Sequence, residues 1–387
     1  MPGTDGEPAA AERFSRGLLG RLGLLAGSLC FSLLLAEVVL RFALPWLPET
    51  LQDQIQSIGP GLRQSGIAHD ELHEPDDRLG YRMRASVSAE IQFRRDLPPT
   101  RVTTNAAGFR SSEGTRAPIV VVGDSFAFGY GVEDEEVSAV ELSRLLQMDV
   151  ACLGVTGYGT HQYNRVLYDH GLSLQPDLVL YYLFLGNDFA GAQPPESEPF
   201  TASPDPSIKE RLRDFMSAKS MSFQLLKFVL GANVYSYGHR IQTEDLDLYL
   251  YLDNSPYNLE RPTIRDAFEI VMDNIRRARR RAREAGAETL VVLIPTKESV
   301  YRHLAAPHLP ESDFFEAEDE LRRRVLEVLD TEAARSLDLT PALRERAIGG
   351  KQLYHVFDGH WSPAGNRAAA EIIHDYLERE TPVAALR

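Results

Sequence analysis

The sequence has almost no cysteine. Only Cys30 and Cys152 occur among 387 residues. One lies in a long apolar run and the other in an expected strand, so no disulfide scaffold rests on them. No grouping of Cys and His has zinc-ligand spacing, and no metal site is expected. Positive charge is also short. Against 56 Asp and Glu stand 41 Lys and Arg, a net charge of −15. That deficit excludes nucleic acid as the main partner, because phosphate binding needs a positive field. There is no internal repeat. The glycines at 154, 157 and 159 lack the G-x-G-x-x-G spacing of a dinucleotide site, so no cofactor is expected. Wholesale disorder is excluded too, because 43% of residues are hydrophobic and only 25% charged. The length suits one large domain or two smaller ones with a real core.

What is present begins with an apolar run. A helix over 22–44 would reach about 34 Å at about 1.5 Å per residue, enough to cross a bilayer. Glu37 is its weak point, made tolerable by Arg41 one turn on and by nearness to the interface. Trp46 suits an interfacial anchor. No small-x-small site follows the run, and Leu29 before Cys30 spoils a lipoprotein signal, so the reading is an uncleaved anchor. Arg13, Arg16 and Arg21 precede the span, and the segment after it has only Arg63 within about 20 residues. This predicts a cytoplasmic tail over 1–21 and a main body, 45–387, on the periplasmic or extracellular side.

Residues 45–118 are polar and irregular in sequence, read as a stalk and cap. From 119 to 387 strands and helices alternate. Strands are expected at 119–122, 149–153, 178–185, 289–294 and 336–339. Helices are expected at 133–147, 160–170, 263–285 and 364–377. Continuous apolar strands separated by helices predict a three-layer α/β/α sandwich with a mostly parallel sheet. Such sheets carry their sites at the carboxyl ends of the strands. Residues 189–262 break the alternation and read as an inserted lid or subdomain.

The residues after each strand carry the chemistry. Gly123-Asp124-Ser125 follows the first and presents a serine where a helix begins, with free N–H groups suited to an oxyanion. A Gly-rich stretch containing Gly157 follows the second, allowing close backbone approach to a ligand. Gly186-Asn187-Asp188 follows the third, where an Asn side chain can donate into the same crevice. Asp358-Gly359-His360-Trp361 precedes the closing helix, and a carboxylate there can fix the imidazole tautomer. Each has a bland alternative: a capping serine, a glycine loop, an Asx turn, a stray histidine. Together they meet the needs of acyl transfer.

The set resembles the SGNH subgroup of the GDSL hydrolases, whose Ser, Gly, Asn and His blocks appear in order across 119–379. Thr104-Asn105-Ala106-Ala107-Gly108-Phe109-Arg110 and Asp77-Arg78-Leu79-Gly80-Tyr81 are similar to a lead-in of membrane-anchored bacterial members. Many members place Asp three residues before His. Here it stands two before, and the D-x-H-W form is similar to that of alginate O-acetyltransferase relatives. Phe126 replaces the Leu of the GDSL name. The resemblance implies a flavodoxin-like fold, Ser125 as nucleophile, His360 as base and Asp358 as its orienter. Ser125 and Gly157 N–H groups with the Asn187 side chain would form the oxyanion hole, with Asp124 and Asp188 as structural supports. The implied substrate is an acyl ester, of a glycan or a small molecule. Hydrolysis, O-acetyl transfer to an exported polysaccharide, and non-catalytic glycan binding on the same fold stay open.

Six arginines fall between Arg276 and Arg283. Ile264, Phe268, Val271, Ile275, Ala278 and Ala282 keep helical spacing, which assigns the arginines to a solvated face. Lys297 follows the fourth strand and receives no role. His161 and His355 read as rim or structural histidines, and Cys152 as packing.

Overall fold

The computed structural model describes residues 8–48, 51–52, 71–94, 96–190, 192, 208, 216, 220–223, 225, 238–251, 257–308 and 314–380. Two compact units divide the chain. One takes Met1–Ile55 with Phe215–Val234, the other Gln56–Asp214 with Tyr235–Arg387.

The first unit contains one long helix, Pro8–Ala43, closed by a tight turn at Leu44–Trp46 with Pro45 inside it. The helix starts well before residue 22. Pro8 suits a first helical turn and Ala9, Ala10, Ala11 and Glu12 are strong helix formers, so the charged lead continues the apolar helix. The stretch Gly23–Trp46 is long and apolar enough to cross a membrane.

The second unit opens with four strands where the sequence reads as irregular. These are β1 (His73–Asp76), β2 (Gly80–Met83), β3 (Ser88–Ile91) and β4 (Thr100–Thr103). They pair β1 with β2 and β3 with β4, both antiparallel. Each has only four residues, and polar runs such as His-Glu-Pro-Asp hide any period of two. Residues 53–70 of the expected stalk lie outside the described residues.

The core sheet has five parallel strands: β5 (Ile119–Val122), β6 (Val150–Cys152), β7 (Leu178–Phe184), β10 (Glu288–Ile294) and β11 (Arg335–Asp338). A further antiparallel pair, β8 (Gly238–Gln242) and β9 (Asp247–Tyr251), stands apart from it. That pair lies within the expected insertion, most of which lies outside the described residues. All of β5 is buried, and burying each Val or Ile contributes about 2 kcal/mol.

The spatial order is β6-β5-β7-β10-β11, the doubly wound flavodoxin-like order. From β5 the chain steps one way to β6, then crosses back to β7, β10 and β11. Right-handed crossovers therefore put helix Ser138–Leu146 on one face and helices Thr160–Asp169 and Pro262–Glu284 on the other. The packing agrees. Thr160–Asp169 lies on Pro262–Glu284, and the closing helix Pro363–Glu380 lies on Ser138–Leu146. The single helix expected over 133–147 is instead a turn at Asp134–Glu136 and a helix from Ser138, because Val137 between them is extended. On Pro262–Glu284 the six apolar positions are all buried. Arg276 and Arg279 are drawn to Glu332. Cys30 and Cys152 are both free thiols.

The order reverses at β5, whose neighbours β6 and β7 are reached in opposite directions. The crevice beyond the carboxyl ends of β5 and β7 is the switch point where such sheets bind ligands.

Candidate active site

β5 ends at Val122 and the chain turns at Gly123. The Asp124 carboxylate accepts the Phe126 N–H at 2.9 Å and caps the four-residue helix Ser125–Phe128. Ser125 is therefore the first residue of that helix, at the end where N–H groups point outward. The helix lies directly on the exit of β6. A side chain at Gly154 would overlap the Phe128 backbone nitrogen and Ala127, so only a hydrogen fits there.

Arg110 fixes the other end of this short helix. Its buried guanidinium donates to the carbonyls of Gly129 at 2.7 Å, Val132 at 2.6 Å and Arg101 at 2.8 Å, and to Asp134 at 2.7 Å. Asn105 sets Arg110 up by accepting the N–H groups of Ala107 and Phe109 at 3.0 and 2.9 Å. The Asn105–Arg110 stretch thus has a mechanical purpose: its arginine ties the cap to the serine's helix.

His360 lies opposite. Its Nε2 is 2.6 Å from Ser125 Oγ, and its Nδ1 is hydrogen-bonded to Asp358. The same carboxylate oxygen accepts the His360 backbone N–H at 2.8 Å. The two-residue spacing permits this double contact, an Asx turn that holds ring and backbone together. Tyr130 stacks on the imidazole at 4.3 Å between ring centres, with Phe126 at 5.0 Å. Burial alone would raise the Asp358 carboxyl. The charge and hydrogen bond of His360, with Arg94 and His355, outweigh that and hold it well below the usual carboxylate range.

Gly157 sits in the loop after β6 with φ +73°, a conformation that favours glycine. Among the described residues, the N–H groups of Ser125 and Gly157 donate to no other atom. The cap braces this loop in both directions. Tyr81 Oη donates to the Thr156 carbonyl at 2.7 Å, and Tyr158 Oη donates to the Tyr81 carbonyl at 2.5 Å. Asn187 is exposed just past β7.

Asp124 and Asp188 are buried side by side. Burial raises the Asp124 carboxyl, against the pull of the Phe126 N–H, His360 and nearby Asn187. Burial and then the charge of Asp124 push Asp188 up. Asp188 accepts from Tyr163 Oη at 2.6 Å and from the Phe184 N–H at 2.7 Å, tying β7 to helix Thr160–Asp169.

Lys297, given no role by the sequence, reaches this site from beneath. It is fully buried, and its Nζ donates to the carbonyls of His355 at 3.4 Å, Val356 at 3.1 Å and Asp358 at 3.0 Å. The β8–β9 hairpin grips the same loop. Tyr249 N–H donates to the Val356 carbonyl at 2.8 Å and Tyr251 Oη to the Phe357 carbonyl at 3.0 Å. The one signal for Lys297 was a charge three residues past Ile294, where the apolar run of β10 ends. His355 is buried behind the site, in keeping with a structural histidine. A cavity of about 280 Å³ lies between the cap and helix Thr160–Asp169. Tyr158 lines it, but Ser125 and His360 do not.

Residues 249–387 match the model of the SGNH hydrolase-like domain of the acetyltransferase AlgX. That span holds Asp358 and His360, while Ser125, Gly157 and Asn187 precede it. No curated protein matches the chain in sequence. Among solved structures, a lipolytic G-D-S-L family protein from Veillonella parvula is similar at 10% identity and TM-score 0.38, over 67% of this chain and 98% of that one. A catalytic mutant of the acetylxylan esterase Axe2 from Geobacillus stearothermophilus is similar at 12% identity and TM-score 0.36, over 68% and 94%.

Proposed function

We propose that this chain is a membrane-anchored serine hydrolase of the SGNH/GDSL type, cleaving acyl esters through Ser125, His360 and Asp358, a reading supported by the match of residues 249–387 to an SGNH hydrolase-like domain. The observation that carries the reading is the continuous chain from Ser125 Oγ to His360 Nε2 at 2.6 Å and from His360 Nδ1 to Asp358. His360 takes the serine proton as Oγ attacks the ester carbonyl. The N–H groups of Ser125 and Gly157, with the Asn187 amide, stabilise the tetrahedral oxyanion. The imidazolium returns the proton to the departing alkoxide, leaving an acyl-enzyme. Water, activated by the same imidazole, then releases the acid and restores Ser125. Asp358, held ionised, supports the imidazolium throughout. Asp124 and Asp188 support the loops and take no part in proton transfer.

The apolar helix supports an anchor, with Arg13, Arg16 and Arg21 keeping the N-terminus in the cytoplasm and the catalytic unit outside. In that setting an acylated glycan of the envelope is the natural class of substrate. A second reading has its own support in the match of residues 249–387 to an acetyltransferase domain. There a sugar hydroxyl replaces water at the acyl-enzyme, and the product is an O-acetylated polymer.

The test is a fluorophosphonate probe with intact-mass readout. A single adduct on Ser125, absent in His360→Ala, is the expected result. No adduct on the folded protein would overturn the reading in favour of a binding protein on the same fold. Acetyl release into water, against acetyl transfer to added oligosaccharide, then separates hydrolase from transferase.

A further inference from the structure

Glu37 is the only acidic residue in the apolar stretch Gly23–Trp46. An ionised side chain well inside a bilayer costs about 3 kcal/mol unless it is paired. Arg41 one turn away supplies two N–H donors, at 3.1 and 3.2 Å. The remaining partners come from far along the chain. Oε1 also accepts the Met221 N–H at 3.0 Å, and Oε2 accepts Ser220 Oγ and the Ser222 N–H, each at 3.0 Å. Ser220 Oγ in turn accepts the Phe223 N–H at 3.1 Å. These residues fall in the same compact unit as the long helix.

The arrangement is reciprocal. Inside hydrocarbon an unpaired backbone N–H costs several kcal/mol, and the N–H groups in the first turn of a helix, such as the one entered at Met221, have no partner within it. Glu37 satisfies the Met221 and Ser222 N–H groups, and they neutralise the cost of Glu37. The sequence that follows is apolar: Met221, Phe223, Leu225, Leu226, Phe228, Val229 and Leu230, with no acidic residue between Asp214 and Glu244. Met221, Phe223 and Leu225 are half-buried rather than hidden in a core.

We infer that Ser220, Met221, Ser222, Phe223 and Leu225 form a second membrane-contacting element, docked on the anchor helix through Glu37, with the lipid bilayer as its partner. This rests on the anchor reading of Gly23–Trp46. The insertion would then serve as a second point of attachment to the membrane.

The full chain, with a protease site replacing residues 60–65, is reconstituted in phosphatidylcholine vesicles and cut in place. The portion carrying the insertion is expected to float with the vesicles after cutting. Phe223→Asp with Leu225→Asp should raise its release at least about tenfold, and Glu37→Leu severalfold. Fluorophosphonate labelling of Ser125 reports that each variant is folded. Release of the cut parental chain as complete as that of the double variant overturns the inference and leaves the anchor standing. An uncut chain that stays in the supernatant overturns both. A second measurement needs no charged variant. An environment-sensitive fluorophore on Leu225→Cys, in a Cys30→Ser background, should be quenched by brominated lipid. No quenching overturns the inference.

Discussion

Ser125 Oγ and His360 Nε2 meet at 2.6 Å, but the two sides of that contact are built on different principles. The serine side is held by close packing and local bonds. Gly123 and Gly154 let a four-residue helix lie on the sheet, Asp124 caps it, and Arg110 ties off its far end. The histidine side is a loop with little regular structure. Its position depends on one buried cation beneath it and on the β8–β9 hairpin beside it. A packed site fails by losing the fold, because a side chain placed where only hydrogen fits displaces backbone. A loop gathered on a cation fails by losing alignment while the fold survives. The difference predicts that changes on the two sides separate activity from stability in opposite ways.

The largest effect removes the contact itself. Ser125→Ala is expected to lower kcat for an aryl acetate by at least about 10⁴-fold with the melting temperature unchanged, since Oγ is the proposed nucleophile. Activity within tenfold of the parent would place the nucleophile elsewhere. Asp358→Asn should follow, at about 10³- to 10⁴-fold in kcat, because an amide favours the wrong imidazole tautomer. An equal loss in Asp124→Asn on the serine side would break the comparison, making the capping carboxylate as catalytic as the orienting one.

Lys297→Met sharpens the contrast. Three carbonyls that converge on Nζ lose their donor, and the loop bearing Asp358 and His360 loses its register. The expected loss is about 100-fold in kcat, with KM within twofold and a modest fall in melting temperature. Lys297→Arg, which keeps the charge and the donors, should recover part of it. Gly154→Ala is the mirror case. Its methyl group meets the Phe128 backbone, so about 1–3 kcal/mol of stability is lost and activity falls only with the folded fraction. Chemical denaturation with active-site titration reads both quantities. Should Lys297→Met lose activity only in proportion to unfolding, the loop is held by something other than this lysine.

Much of this was legible from the chain. Apolar runs at 119–122, 178–185 and 289–294 mark buried strands because parallel sheets are covered on both faces. The ends of those strands then point to Ser125 and Asn187. Asp358 and His360 are two residues apart, and the structure brings the pair to Ser125. What the sequence hid is long-range or short in extent. The cap strands have four residues each, too few to show a period. Lys297 acts on carbonyls about 60 residues away, and carbonyls leave no trace in side-chain pattern. Glu37 appeared as a defect because its partners at 220–222 lie in a segment whose contacts no local rule reveals.

The smallest effect lies under the histidine side and depends on pH. Thr296 caps the turn that carries Lys297, and it is itself held by buried Glu318. The Thr296 Oγ1 donates to that carboxyl at 2.7 Å and its N–H at 3.3 Å. Burial raises Glu318 to about 7, against the hydrogen bonds of Thr296. A raised folded-state value means the protonated form is the favoured one. Its contribution to stability is full below the ordinary value of 4.5 and is lost as pH rises through about 7. Glu318→Gln keeps an acceptor for Thr296 and cannot ionise. It should remove that loss, so the variant gains on the parent between pH 5 and pH 8 by up to about 3 kcal/mol. Denaturant melts at the two pH values measure the difference. Because Lys297 stands on this turn, kcat of the parent should slacken over the same interval while Glu318→Gln holds. If both proteins follow one pH profile in stability and in kcat, the turn is indifferent to Glu318, and the histidine side depends on Lys297 and the hairpin alone.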